Sequence, residues 1–173
     1  MIEKIVFTAE EIKQLLSEVS DELGVMGVKG EICLYGGAVM CLVFDARPDT
    51  KDVDAIFKPT EQIREAAKRV AEAHNLKDDW LNDAVKGFIV QHPQEPLLNF
   101  PSLKVFIPRP DYLLAMKAIA ARVETSDPDD VRLLIKRLNL KSADEVFAIL
   151  EHYYPRQQIK PATQYFIEEL FEQ

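Results

Sequence analysis

Tyr35-Gly36-Gly37-Ala38-Val39-Met40-Cys41-Leu42-Val43-Phe44, followed by the polar turn segment Asp45-Ala46-Arg47-Pro48-Asp49-Thr50-Lys51 and then Asp52-Val53-Asp54-Ala55-Ile56-Phe57, decides how the chain folds. A glycine pair opens one apolar segment and an Asp-Val-Asp triplet opens the next. Residues two apart on a strand point to one face, so the spacing predicts that the carboxylates of Asp52 and Asp54 converge while Val53 faces the core. Two hard oxygen donors suit Mg²⁺, which is usually held by one or two carboxylates plus substrate phosphates. The glycines supply the other half of such a site. Without Cβ atoms the backbone at Gly36 and Gly37 can approach a phosphate closely, and the free N–H groups of the helix that follows add a positive dipole end. Together these features read as a pocket for a nucleoside triphosphate and a metal.

Working outward toward the N-terminus, Thr8 and Glu11 form a capping box, after which Ile12, Leu15, Leu16, Val19 and Leu23 recur at helical spacing until Gly24. Glu31 to Tyr35 reads as a short strand, Ala38 to Phe44 as a short buried helix and Asp52 to Phe57 as a second strand. On the C-terminal side Thr60 caps a helix whose buried stripe is Ile63, Ala66, Ala67 and Val70. Asp79 to Gly87 is expected as another short helix, with Trp80, Leu81, Val85 and Phe88 as its apolar contribution. A loop holding Pro93, Pro96 and Pro101 then leads to a strand from Leu103 to Ile107.

From Asp111 onward the pattern is helical throughout: Asp111 to Val123, Asp127 to Leu138, Ser142 to Tyr153 behind a second capping box with Glu145, and Pro161 to Phe171. The fold class is therefore α+β, a small mixed sheet flanked by helices and followed by a C-terminal helical bundle. Residues 1–110 are assigned to the α/β core and 111–173 to a helical region that completes the active-site cleft. Tyr153, Tyr154 and the face Tyr165, Phe166, Leu170 are assigned to packing of the bundle or of a partner.

The 173 residues suffice for a full core, and the formal net charge of -8 argues against a broad nucleic-acid-binding face, which would need clustered cations. Lys58, Arg64, Lys68 and Arg69 make one local basic patch, equally well read as a solvated helix face. No apolar run is long enough to span a bilayer, and Met1-Ile2-Glu3-Lys4 lacks the basic start and apolar core of a signal peptide, so the expectation is a cytoplasmic protein without membrane partners. Cys33 and Cys41 sit in apolar surroundings with no CxxC context and read as buried thiols. His74, His92 and His152 are too dispersed for a metal site. Trp80, in the cluster Asp79-Trp80-Leu81-Asn82-Asp83, is read either as a core residue or as a stacking surface for a base.

Lys117 stands out on physical grounds. It is the one charged residue between Asp111 and Arg122, set among Leu113, Leu114, Ala115, Met116, Ala118, Ile119, Ala120 and Ala121. A helix so apolar is largely buried, and a buried ammonium needs an anion, either a phosphate or a carboxylate. The other reading is a lysine that snorkels to the surface or pairs with a structural aspartate.

A glycine pair after a strand, a short helix and Asp-x-Asp on the next strand is the arrangement of the nucleotidyltransferase superfamily, and residues 30–125 resemble it. Within that superfamily the chain is most similar to the AbiEii-type toxins and their uncharacterised relatives. The resemblance is carried by Gly36-Gly37-Ala38, by Arg47 through Thr50-Lys51-Asp52-Val53-Asp54, by Lys117 with Arg122, and by the acidic stretch Asp127 to Asp130. It implies that Gly36 and Gly37 line the triphosphate, that Thr50 hydrogen-bonds a phosphate oxygen, and that Asp52 and Asp54 hold Mg²⁺. It further implies that Lys117 contacts nucleotide and works in catalysis with Asp130, whereas Asp127 is explained as an N-cap and Asp129 as first-turn negative charge.

The implied reaction is attack of an acceptor hydroxyl, on RNA, protein or a small molecule, at the α-phosphorus of a nucleoside triphosphate. An antitoxin protein is the implied partner. One departure stands against full activity: many members carry a third carboxylate on a later strand, and Leu103-Lys104-Val105-Phe106-Ile107 has none. Either Asp130 or a substrate group replaces it, or the chain is a catalytically degenerate binding or regulatory module. A metal-dependent phosphohydrolase using the same acidic pair is a third reading, without a nucleophile or histidine cluster to support it.

Overall fold

The structure, a computed structural model, describes residues 6–120 and 127–172, without the side chains of Ala120 and Asp127. Arg122 and the cap role expected of the Asp127 side chain therefore lie outside the described residues. The chain divides into two compact units, Met1–Gly87 with Gln94–Ile107, and Phe88–Pro93 with Pro108–Gln173.

The first unit is built on a five-stranded sheet. A short strand β1 (Phe7–Thr8) runs into helix α1 (Ala9–Met26), whose capping box forms as the sequence predicts: Thr8 Oγ1 accepts from the Glu11 amide at 3.2 Å, and Glu11 accepts from the Thr8 amide at 3.1 Å. The helix runs past Gly24 to Met26 because Gly27, at φ 71°, takes the left-handed cap position and returns its amide to Gly24 O and Leu23 O. Next come β2 (Gly30–Tyr35), α2 (Gly36–Leu42), β3 (Asp49–Thr50), β4 (Val53–Lys58) and α3 (Thr60–His74). They are followed by β5 (Leu81–Asn82), a 3₁₀ turn (Ala84–Gly87), β6 (Gln94–Asn99) and β7 (Leu103–Pro108).

The sheet order is β5-β4-β2-β7-β6, with β2 antiparallel to β4, and with the β2–β7 and β4–β5 pairs parallel. The strands β1 and β3 make a separate two-stranded ribbon. Burial alternates along β4 and the start of β7, where Val53, Ala55, Leu103 and Val105 face the core, whereas the inner strand β2 is buried without a break from Ile32 to Tyr35; the α1 stripe Ile12, Leu15, Leu16, Val19, Leu23 and the α3 stripe Ile63, Ala66, Ala67, Val70 are buried too. Each large aliphatic side chain taken out of water there contributes about 1.5–3 kcal/mol.

Three further expectations are corrected. Thr60 does not cap α3: Pro59 holds the N-cap position without a side-chain cap bond, and Thr60, the first helical residue, donates from Oγ1 to Phe57 O at 3.3 Å. Asp79 to Gly87 is not a helix: Leu81 pairs with Val53 and Asn82 with Asp54 as a short parallel edge strand, and only the remainder winds into the 3₁₀ turn. The proline-bearing loop holds a strand, β6, which tolerates Pro96 because it lies at the edge of the sheet.

The second unit contains α4 (Pro110–Ala120), α5 (Asp127–Arg137), α6 (Ala143–Tyr153) and α7 (Pro161–Leu170), with a 3₁₀ turn (Arg156–Gln158) before the last. Helix α4 packs against both α5 and α6, and α6 against α7. The core gathers Leu113, Leu114, Ala115, Ala118, Val131, Leu134, Val146, Leu150 and Ile167. Ser142 caps α6 through the Glu145 amide, whereas the Glu145 carboxylate reaches the Lys141 amide at 2.8 Å rather than that of Ser142.

A hydroxyl chain ties the segment Phe88–Pro93 to these helices. The Val90 amide donates to Tyr112 Oη at 3.2 Å, Tyr112 and Tyr154 hydroxyls lie 2.9 Å apart, and Tyr154 Oη donates to Phe88 O at 2.9 Å. Since each hydroxyl has one proton, Tyr112 donates to Tyr154 and the chain runs in one direction. Burial, with the Tyr112 hydroxyl beside it, pushes the Tyr154 phenol upward and keeps it protonated. His92 stacks on Tyr112 with ring centroids 3.8 Å apart and an interplanar angle of 8°. Among the described residues no helix is long and apolar enough to cross a membrane.

Candidate functional site

The junction of β2 and α2 is where backbone and side chains come closest. Tyr35 ends β2 and is buried; Gly36 turns with φ +60°, and Gly37 follows in the first turn of α2. A Cβ placed on Gly36 would sit 3.0 Å from Asp54 Oδ2. One placed on Gly37 would overlap Thr50 Oγ1 and stand 3.2 Å from Arg47 Nη1. Only glycine permits these close approaches, so the pair forms a tightly packed cradle, with a carboxylate against Gly36 and a hydroxyl and a guanidinium against Gly37.

Three local features build the walls. Register between β2 and β4 sets Tyr35 opposite Asp54, so Asp54 is carried on the strand next to the glycine turn. Val53 is fully buried and Asp54 half-buried, as the alternation predicts. Asp52 immediately precedes the strand, which begins at Val53, and its side chain is exposed. Thr50 is buried to 9% exposure, fixed by pairing with Phe7 across the β1–β3 ribbon, and donates from Oγ1 to Asp52 O at 3.3 Å.

The donor set decides which metal chemistry suits the cradle. Among the described residues no group of three or more histidine, cysteine or acidic side chains is arranged to hold a metal, so an all-protein cage is not formed. Asp54 beside the cradle, with Asp52 two residues away, fits a hard ion held by one or two carboxylates and completed by substrate phosphates, which is the habit of Mg²⁺.

Lys117 and Asp130 belong to the helical unit. Lys117 Nζ lies 2.8 Å from Asp130 Oδ2, and both are buried, at 9% and 4% exposure. The ammonium on the apolar helix α4 thus meets the carboxylate that burial demands, supplied by α5. Asp129 is exposed and pairs with Arg132 at 3.0 Å.

Other singled-out residues have structural places. Trp80 is buried and donates its indole N–H to Ala67 O at 2.9 Å, so it is a core residue joining β5 to α3. Arg64 is engaged by Glu61 and Asp83, Arg69 by Glu65 and Glu22, and Lys58 by Glu31, so these members of the basic patch face solvent as ion pairs. Cys33 and Cys41 are buried free thiols, and burial pushes the Cys33 thiol up to about 11. Arg47 is the member of the cradle to which sequence reasoning gave no role. Its signal was its place in the turn ahead of Thr50 and Asp52, which by itself reads as a loop residue.

No protein-family model matches the sequence, and no curated protein matches it. Among solved structures, the crystal structure of an antigenic nucleotidyltransferase-like protein from Paracoccidioides brasiliensis is similar, with a TM-score of 0.51 over 94% of this chain and 94% of that one. The two are 14% identical in sequence, so the likeness is one of fold. The chain has a nucleotidyltransferase-like α+β fold.

Proposed function

We propose that the protein is an Mg²⁺-dependent nucleotidyltransferase that moves a nucleotide from a nucleoside triphosphate to a hydroxyl acceptor. The observation that carries this reading is the glycine cradle at Gly36 and Gly37, set against Asp54, Thr50 and Arg47 within a nucleotidyltransferase-like fold. Gly36 and Gly37 admit the phosphates, Thr50 offers a hydroxyl to a phosphate oxygen, and Asp52 and Asp54 hold the metal. Mg²⁺ in that position would offset the charge of the triphosphate and stabilise the entering and departing oxygens. The acceptor oxygen bonds to the α-phosphorus as the bond from phosphorus to the bridging oxygen breaks. Pyrophosphate leaves with the electron pair, and the acceptor proton passes to solvent. Lys117 and Asp130 are proposed to act as a unit in support of this chemistry.

Isothermal titration with Mg²⁺ and each of the four nucleoside triphosphates tests the reading. Binding by the wild type, and its loss in the Asp52→Ala, Asp54→Ala double variant, is the expected result. A wild type that binds none of them would sink it. The finer assignment, a toxin of the AbiEii-type group modifying RNA or protein and restrained by an antitoxin, predicts growth arrest on expression that Asp54→Ala relieves. Such an enzyme would work in the cytoplasm, where nucleoside triphosphates are plentiful.

A second reading has one observation in its favour. Strand β7 lies parallel to β2 with Phe106 opposite Cys33, and its residues Leu103 to Pro108 include no carboxylate. A degenerate module that binds nucleotide without transferring it meets that condition. Transfer of label from α-³²P nucleotides to a cellular RNA pool separates the two, because a module releases no pyrophosphate.

A further inference from the structure

Within the helical unit, α5 and α7 border a cavity of about 580 Å³. Its floor is apolar: Ile135 is buried, and Leu140, Phe166, Leu170 and Phe171 are each half-buried. Arg132, Lys136 and Lys141 stand along one rim, on α5 and the turn after it, and Glu169 stands on the α7 rim, all four exposed. The Arg132 guanidinium lies 5.9 Å from the centre of the Phe166 ring, so the cationic rim reaches over the floor.

The two rims do not neutralise each other. Among the described residues no ion pair joins Lys136 or Lys141 to a carboxylate, or Glu168 or Glu169 to a cation. Helical spacing sets Tyr165 on the same face of α7 as Glu168 and Glu169. Tyr165 is 65% exposed and is one of three large apolar side chains left open to water among the described residues. An apolar floor, an exposed aromatic ring and unpaired charges of both signs thus share one surface, which is the composition of a contact face.

We propose that this surface joins two copies of the chain about a twofold axis passing through the apolar floor. A twofold contact sets each residue of a patch against a different residue of the same patch, so cations on one rim and carboxylates on the other make the patch complementary to itself. Tyr165 of one copy enters the floor of the other, its Glu168 and Glu169 meet Lys136 and Lys141, and the axis repeats these pairs. The net charge of -8 on each copy does not prevent this, because charges beyond about 8 Å are screened at physiological salt. An acidic helix of a different chain would satisfy the lysines but leave Tyr165, Glu168 and Glu169 without a role. An anionic membrane would repel the same carboxylates. The contact is independent of the nucleotide-transfer reading.

Sedimentation velocity of the full chain from about 1 to 100 μM tests the proposal. The wild type should pass from monomer to dimer within that range. Lys136→Glu with Lys141→Glu should weaken the dimer about tenfold or more by setting like charges together, and so should Glu168→Lys with Glu169→Lys. An equimolar mixture of these two double variants should dimerise about as well as the wild type, since both symmetry-related contacts then join opposite charges. Misfolded variants would show no such recovery. A wild type that stays monomeric, variants that dimerise unchanged, or a mixture that stays monomeric overturns the proposal. Monomeric wild type that binds poly-L-glutamate, with binding lost in Lys136→Glu with Lys141→Glu, would give the groove to an acidic partner of another sequence and overturn the second copy as its occupant.

Discussion

Gly36 and Gly37 are adjacent yet demand glycine for different reasons. At Gly36 the backbone is left-handed, φ +60°, and an alanine there would carry about 1–2 kcal/mol of local strain. At Gly37 the difficulty is volume. A methyl would overlap the buried Thr50 hydroxyl, so Gly37→Ala should lower stability by about 1–3 kcal/mol through displacement of Thr50 and should abolish nucleotide binding. Urea unfolding followed alongside titration calorimetry checks both halves. Lys117 and Asp130 make a second residue-scale case. Lys117→Met alone leaves a buried carboxylate without its ammonium and should destabilise by about 3–5 kcal/mol, whereas Lys117→Met with Asp130→Leu should recover most of that loss. Chemical denaturation of the single and double variants reads the difference. Burial of Lys117 was legible in the sequence, since its whole helix is apolar. The closeness of Arg47 to Gly37 was not, because it depends on how a turn folds back over the start of α2.

Elements written by local rules were the readable ones. Thr8 with Glu11 and Ser142 ahead of α6 act within one helical turn, and the stripes of α1 and α3 recur at a single period, so neighbouring residues alone specify them. Strands β5 and β6 were misread because their state is set at a distance. Leu81 follows a tryptophan at helical spacing from Val85, but pairing with Val53 and the Trp80 bond to Ala67 O hold it extended. In β6 the proline argues against a strand until its edge position is known. The Phe88–Pro93 segment shows the same dependence on partners and has a pH signature. Burial lowers the His92 imidazole below 6.5, against the pull of its bond to Pro93 O and of Asp111. The folded state therefore favours the neutral ring. Its contribution is complete above the unfolded value and is lost as pH falls below 6.5, where the unfolded chain takes the proton first. His92→Gln should flatten this part of the stability profile between pH 7 and 5 relative to wild type, as read from urea midpoints.

For the whole molecule, a ligand that binds only the native state adds stability by mass action, about 2.7 kcal/mol at a concentration near 100 times Kd. Mg²⁺ with a cognate nucleoside triphosphate should accordingly raise the thermal midpoint of the wild type and leave that of Asp52→Ala, Asp54→Ala unchanged. Were the acceptor proposed above to be RNA, the net charge of -8 would confine its association to a small contact area. Its dependence on salt should be shallow, which filter binding at several ionic strengths can measure.

Trp80 is the single tryptophan of the chain, it is sealed from water, and its carbonyl accepts the Val53 amide one residue before Asp54. Nature has thereby installed one indole in the α/β unit, bonded to the strand that carries Asp54, and none in the helical unit. Emission excited selectively at the indole should be blue-shifted in the native protein, should report melting of the α/β unit alone, and should change in intensity when a ligand settles against Asp54.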